Sequence, residues 1–426
     1  VTSVHDLANN REISVEPDGD SVAYTYNDRG DVASKTVNGH TWRYTVDGNG
    51  KVTRTDNPDG TYTTSVFNAD GNETESVDAM GHRTTRSFKA GSDRLLSEID
   101  PLGRITRYEY DDRGNLVRSY GPDGLPQTRQ GVDAKGNVVA DTSATGEVTT
   151  YTYDASSHRL SQIDASGRTM RWTYDARGNV LTETDAQGRV TRHTYDANGN
   201  RTSTIMPDGK VSQTEYTSFG KPRVVTDALG RKTQTIYDAT GQAMATIRAD
   251  GSSSSRGYDA TGNVTSTVDA AGRTTAMSYD AEGRLLGTTF ADSAEVKSEY
   301  DAMGRRTASI DAKGNRTEYE YDAAGRDTLV RDALGRVTKS RYDAVGRKIE
   351  VVDALGRSTS TRYDLYDRVT KVIYPDGSFD STEYDAAGRK TASVDAMYRR
   401  TEFGYDAVGQ LTSVKDPSGE ITRYGY

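Results

Sequence analysis

Polar and apolar residues alternate over stretches of about seven residues, and a turn signal closes each stretch. Over residues 168–174, Arg168, Met170, Trp172 and Tyr174 share one face, while Thr169, Arg171 and Thr173 share the other. Over 104–110, Thr106, Tyr108 and Tyr110 lie opposite Arg107 and Glu109. This period of two predicts strands with one aromatic face and one charged, hydroxylated face. Gly or Pro interrupts every window long enough to hold a helix, so no helix is expected.

The turn signals come in two kinds. The first is Tyr-Asp-x-x-Gly, as in Tyr174, Asp175 and Gly178. The second is Asp-x-x-Gly about ten residues later, as in Asp185 and Gly188. Asp at the first and Gly at the fourth position mark a type I turn, with the Asp side chain accepting backbone N–H bonds and the Gly free to go left-handed. The phrase recurs every 21 residues at Tyr153, Tyr174, Tyr195, Tyr216, Tyr237, Tyr258, Tyr279, Tyr300, Tyr321, Tyr342, Tyr363, Tyr384, Tyr405 and Tyr426. Earlier the register drifts, with His5, Tyr26, Val46, Phe67, Phe88, Tyr110 and Val132 at the Tyr position. The expectation is one continuous array over 1–426, irregular over 1–152 and strict over 153–426, forming a section of a longer protein. The repeat positions singled out as structural are Tyr174, Asp175, Gly178, Asp185, Gly188, Tyr195, Tyr258, Tyr279, Tyr300, Tyr321, Tyr342, Tyr384 and Tyr405. Each Tyr is expected to stack on its equivalents in neighbouring units.

Composition sharpens this picture. Hydrophobic residues make up 33%, yet there are 27 Tyr and 42 Gly. Mean hydropathy is −0.79. A thick aliphatic core is therefore excluded, while strand and turn formers are abundant. Roughly 40 strands at about 4.8 Å spacing make a sheet about 190 Å wide and only about 23 Å tall. Such a sheet twists and must spiral or close on itself. Closed as one ring it is about 60 Å across, too wide for side chains to fill. The expected object is hollow, with a wall one sheet thick.

The net charge of −9 argues against nucleic-acid binding. No apolar run reaches the length of a membrane-spanning helix, and no signal peptide is visible at Val1. With no Cys there is no disulfide framework.

The phrase resembles the YD repeat of Rhs proteins. Clear copies are YDATGNVTSTVDAAGRTTAMS from Tyr258, YDAMGRRTASIDAKGNRTEYE from Tyr300 and YDAVGRKIEVVDALGRSTSTR from Tyr342. The family includes bacterial Rhs polymorphic toxins, Tc toxin B and C components, wall-associated proteins and teneurins. The resemblance implies an all-β fold, a strip of antiparallel sheet spiralling into a hollow shell. In toxin members the shell encloses a toxic polypeptide, which would be this chain's partner. Delivery from a bacterium would place the parent protein outside the cell or at its surface and could involve a secretion-system spike or adaptor. In teneurins the shell serves adhesion, so an adhesion or glycan-binding module is the alternative. The family's plug motif, Asp-Pro-x-Gly-Leu, is not matched, since Asp416-Pro417-Ser418-Gly419 precedes Glu420 and Asp100-Pro101-Leu102-Gly103 precedes Arg104. Any cargo is therefore expected outside these residues.

Candidate chemistry is sparse. Tyr-Asp pairs could serve acid/base work or sugar binding, but a group that recurs in nearly every unit lacks the single special environment catalysis needs. Residues 47–50 and 68–72 look superficially like calcium loops without the remaining ligand pattern. His5, His40, His82, His158 and His193 lack ligand spacing. No enzyme activity, cofactor or metal is expected. Arg after a turn Gly, as at Arg189, Arg305, Arg326 and Arg347, is expected to pair with acids on adjacent strands. Ser157, Asp367, Tyr398 and Ser293 replace turn glycines. They read as contact points, as bends or as drift within an array, and drift is favoured.

Overall fold

The computed structural model describes residues 2–6, 10–15, 21–37 and 39–426. The side chain of His5, read from sequence as structural, lies outside the described residues. Among these residues there are 41 strands in one sheet and no helix, from Thr2–Asp6 to Ile421–Arg423. Every strand pairs antiparallel with its sequence neighbours, as Thr169–Tyr174 does with Arg159–Ile163 before it and Val180–Thr184 after it. The expectation of an all-β hairpin array holds.

Each unit is a six-residue strand ending at the Tyr, a turn, a five-residue strand and a second turn. Both turns follow one design. The Asp175 N–H donates to the Asn179 carbonyl (2.9 Å) and the Gly178 N–H to the Asp175 carbonyl (3.1 Å). The mid-repeat turn repeats this with Asp185, Arg189 and Gly188 at 3.0 and 2.9 Å. This is a type I turn closed by a left-handed residue, with φ of 87° at Gly178 and 78° at Gly188. The hairpins differ in one respect. The register shifts by one residue at the Tyr, where Thr173 faces Thr182 but Tyr174 faces Val180, while the mid-repeat pairing Thr184–Val190 is regular. A bulge therefore recurs on the Tyr side of the strip.

The sheet has almost no core. The buried apolar residues are Ala23, Ala308 and Ala392, and no large side chain is fully buried among the described residues. The accessible surface is 24786 Å², against about 16,000 Å² for a compact monomer of this mass. Two sheets packed face to face would bury large side chains between them. Both faces of this strip stay open instead. Cohesion comes from ladder hydrogen bonds and from cross-strand pairs such as Thr173–Thr182 (2.6 Å) and the two-pronged Arg316–Glu299 pair (2.6 and 2.7 Å).

The strip coils. Hydrogen bonds join Gln127 to Tyr366, Arg168 to Gln410, Arg305 to Asp59 and Arg104 to Asp367, at separations of 239, 242, 246 and 263 residues. Divided by the 21-residue period, these give about twelve units, or about 24 strands, per turn. At about 4.8 Å per strand the coil is about 115 Å around and about 37 Å across. The chain makes a spiral of almost two turns, narrower than a single closed ring of all its strands.

Candidate functional site: the two turn edges and the coil seam

The strip has two edges, one built from Tyr-Asp turns and one from mid-repeat turns. In the Tyr-Asp turn, Asp175 Oδ1 accepts the backbone N–H groups of Arg177 and Asn179 (both 2.9 Å), and Oδ2 accepts Asn179 Nδ2 (2.9 Å). The Asn179 side chain and then its N–H hold the Asp175 carboxyl below the usual carboxylate range. At Asp185, Oδ1 accepts from Gln187 and Arg189 (3.0 and 2.9 Å) and Oδ2 from Arg189 Nε (2.6 Å). At Asp259 burial opposes ionisation, but bonds from Thr261, Asn263 and their backbone N–H groups outweigh it and bring the carboxyl down to about 2. These carboxylates are spent on their own turns.

The tyrosines do something the repeat pattern did not reveal. From Tyr153 to Tyr405 each repeat phenol donates to the carbonyl fifteen residues earlier, as Tyr174 does to Arg159 (2.7 Å) and Tyr195 to Val180 (2.8 Å). Tyr258, Tyr279, Tyr300, Tyr321, Tyr342, Tyr384 and Tyr405 repeat the bond at 2.7–3.1 Å. The acceptor faces the preceding unit's Tyr across its bulge, as Arg159 faces Tyr153. The phenol thus satisfies a carbonyl beside the irregular pairing and ties one unit to the next.

Direct stacking between successive tyrosines is not found among the described residues. The reason is distance, because equivalent residues lie two strands, or about 10 Å, apart. A second side chain fills the gap. The guanidinium groups of Arg284, Arg305, Arg326, Arg347, Arg368 and Arg389 lie 4.8–5.3 Å from the rings of Tyr300, Tyr321, Tyr342, Tyr363, Tyr384 and Tyr405. His158 takes the same place on Tyr174, stacked at 4.9 Å. Each Arg also binds the Asp of its own turn and the carbonyl of the next, as Arg326 does with Asp322 (2.6 Å) and Asp343 (3.1 Å). Arg189, Arg305, Arg326 and Arg347 thus each pair with the Asp four residues back in the same turn rather than with an acid on an adjacent strand, and Arg305 and Arg347 also reach a second acid in another turn, Asp59 and Asp367.

The two edges meet at a seam. Asp59, Arg104, Gln127, Glu147 and Arg168 belong to mid-repeat turns or their flanks in the first coil. They face Arg305, Asp367, Tyr366, Arg389 and Gln410 on the Tyr-Asp edge of the second. Asp367 is a seam contact and not drift. Its φ is 64°, and its carboxylate binds both Arg104 and Arg347 at 2.7 Å. Beside it, the Tyr366 phenol accepts from Gln127 Nε2 at 2.8 Å, and burial and the Asp123 carboxylate push it up. It lies where a Cβ on Gly121 would be, 2.3 Å from that position. Gly121 stands where most mid-repeat turns carry Asp, so two departures from the repeat fit each other. A cavity of about 590 Å³ opens along the seam near Asp141, Glu147, Asp164 and Arg389. Asp141 Oδ1 is buried there without a hydrogen-bond partner.

The remaining candidates are local. Asp47 and Asn68 accept the N–H groups of their own turns. His82 pairs with Asp78 (3.0 Å), His193 is buried between Glu183 and Thr204, and His40 is exposed at a strand start. No group of three or more metal-ligating side chains is found among the described residues. No helix is long and apolar enough to cross a membrane.

Comparison with known proteins agrees with this architecture. A crystal structure of TcdB2-TccC3-TEV superposes with a TM-score of 0.73 at 14% identity, covering 97% of this chain and 30% of that one. The Tc holotoxin pore of Photorhabdus luminescens gives 0.57 at 15% identity, covering 95% and 28%. At these identities the likeness is one of fold. The probable deoxyribonuclease RhsB of Dickeya dadantii (strain 3937) is 37% identical over 103 residues, which is 24% of this chain and 7% of RhsB. The chain thus spans less than a third of the proteins it resembles. The RHS repeat family profile matches residues 91–126, 132–169, 174–211, 258–337, 342–378 and 405–426, more than half of the sequence. The chain belongs to the RHS repeat family.

Proposed function

We propose that this chain is a wall section of a shell that houses and protects a toxic polypeptide of its parent protein. One observation carries this reading. A single-layer sheet coils edge against edge with about 24 strands per turn, and no large side chain is fully buried among the described residues. A wall of that curvature encloses space on the order of 25 Å wide after side chains are allowed for. Containment needs no catalytic group. The likeness to TcdB2-TccC3 assemblies supports a toxin component as the partner, and the name of RhsB supports a delivered effector as the parent. Its place of action would then be outside the producing cell, reached through a secretion-system spike or adaptor. The name of RhsB is that of a protein of which the match spans 7%, so we assign no nuclease activity to this stretch. The glycan-binding alternative is weaker, because the phenols are committed to backbone carbonyls and the later rings are covered by Arg.

Limited proteolysis of the parent protein tests the proposal. Its toxic region is expected to resist protease in the intact shell and to be cleaved once Arg104→Ala and Asp367→Ala open the seam. Equal cleavage in both would overturn it.

A further inference from the structure

Val46 breaks the tyrosine pattern and leaves a hole. It occupies the repeat Tyr position, and its backbone is placed as that of a Tyr is. Thr45 faces Arg54, the register shifts by one residue, and Val46 faces Val52, as Tyr174 faces Val180 in the strict repeat. What is missing is the ring. In the strict units that ring leans over the preceding strand, and its phenol reaches the carbonyl facing the previous Tyr across its bulge. The equivalent carbonyl here belongs to Val32, which faces Tyr26. No side chain among the described residues donates to it.

The other half of the stack is replaced as well. From Arg284 to Arg389 the Arg after the turn Gly lays its guanidinium on the next unit's ring. Asp31 stands at that position after Gly30. Its carboxylate accepts Asn27 Nδ2 and pairs with Arg29, both at 3.0 Å. Arg29 in turn donates to the Asp47 carbonyl at 2.6 Å, the bond that Arg326 makes to Asp343 in the strict repeat. The link between turns is kept, while the space of the ring is not filled.

A cavity of about 420 Å³ opens there. Tyr24, Val32, Tyr44, Val46 and Val52 line it, with Asp31 as its charged member. Apolar walls with one or two placed polar groups suit a small planar ligand. Burial, and then Tyr24, raise the Tyr44 phenol above its ordinary pKa, as expected of a wall shielded from water.

We infer that this cavity is a binding site for a phenol ring, carried by a small molecule or by a tyrosine side chain. The repeat itself shows how the ring sits. From Tyr153 to Tyr405 a phenol fills the equivalent space and donates to the equivalent carbonyl. An incoming phenol finds the Val32 carbonyl as acceptor and the Asp31 carboxylate beside it. Tyr342 already uses such a pair, the carbonyl and the carboxylate of Asp327, at 2.9 Å each. The Asp31 charge repels an anionic ring. The site holds whatever the shell encloses.

Saturation-transfer NMR on the 426-residue chain tests this, with p-cresol, toluene and the tripeptide Gly-Tyr-Gly as probes. p-Cresol is expected to bind at millimolar concentration, and toluene about fivefold more weakly because it lacks the donor. Val46→Tyr fills the cavity with the chain's own ring. It is expected to abolish p-cresol binding, keep the β circular-dichroism spectrum and raise the urea midpoint. If that variant does not fold, Val46→Phe poses the same question, since Phe67 and Phe88 already occupy Tyr positions. Binding of Gly-Tyr-Gly along with p-cresol assigns the cavity to tyrosine side chains, and p-cresol alone assigns it to free phenols. No p-cresol binding, or binding that a folded Val46→Tyr or Val46→Phe chain retains, overturns the inference. So does toluene binding as tightly as p-cresol.

Discussion

At the scale of single residues, the tyrosine phenol and the seam residues have the clearest consequences. Tyr321→Phe removes only the bond to the Arg306 carbonyl (2.7 Å) and leaves the ring under Arg305. The expected cost is about 0.5–1.5 kcal/mol, read as a lower midpoint in urea unfolding. An unchanged midpoint would mean that water satisfies that carbonyl equally well. Gly121→Ala places a methyl group against the Tyr366 phenol. It should destabilise by about 1–3 kcal/mol, and Tyr366→Ala should restore most of that loss in the double variant. If the two losses simply add, the residues do not meet. The Asp and Gly of each turn are legible in the sequence, because a four-residue turn is a local matter. The phenol's partner is not, since it lies fifteen residues away across a bulge that only the register reveals. The expected Tyr–Tyr stacking fails for the same reason, because the intervening strand separates the rings and Arg, His or another side chain fills the gap.

At the scale of the hairpin, the turns govern response to acid and tolerance of strain. Asp175, Asp227 and Asp353 are held below their ordinary pKa, and Asp259 reaches about 2. The folded chain therefore binds fewer protons than the unfolded chain, whose Asp titrates near 3.9. This stability is complete above about pH 4 and is lost as pH falls toward the folded values. Thermal melts followed by circular dichroism should show the midpoint dropping between about pH 4 and pH 2, and a flat profile there would contradict it. Ser293 occupies a glycine position at φ 66°. Ser293→Gly should stabilise by about 1 kcal/mol, whereas Asp367→Gly should destabilise, because it removes two ion pairs along with the strain. Calorimetry distinguishes the signs. Strand lengths and the alternation of two turn types were readable from the 21-residue period. Which irregular turns matter was not, because Ser293 in a mid-repeat turn and Asp367 in a Tyr-Asp turn both read simply as glycine replacements, and only the seam gives Asp367 its partners.

At the scale of the whole molecule, the strip's width and lack of core residues already required a coiled, hollow object. The number of strands per turn was out of reach, since twist and bulge geometry set the curvature and composition does not. That number follows from five contacts between residues 239–263 apart, none of which a repeat pattern announces.

The central claim is that this strip walls off a volume holding another polypeptide. Electron cryomicroscopy of the full-length parent tests it most directly. The account predicts a one-sheet wall with about 24 strands per turn and protein density inside it. A flat or solid sheet, or a coiled wall around solvent alone, would contradict it.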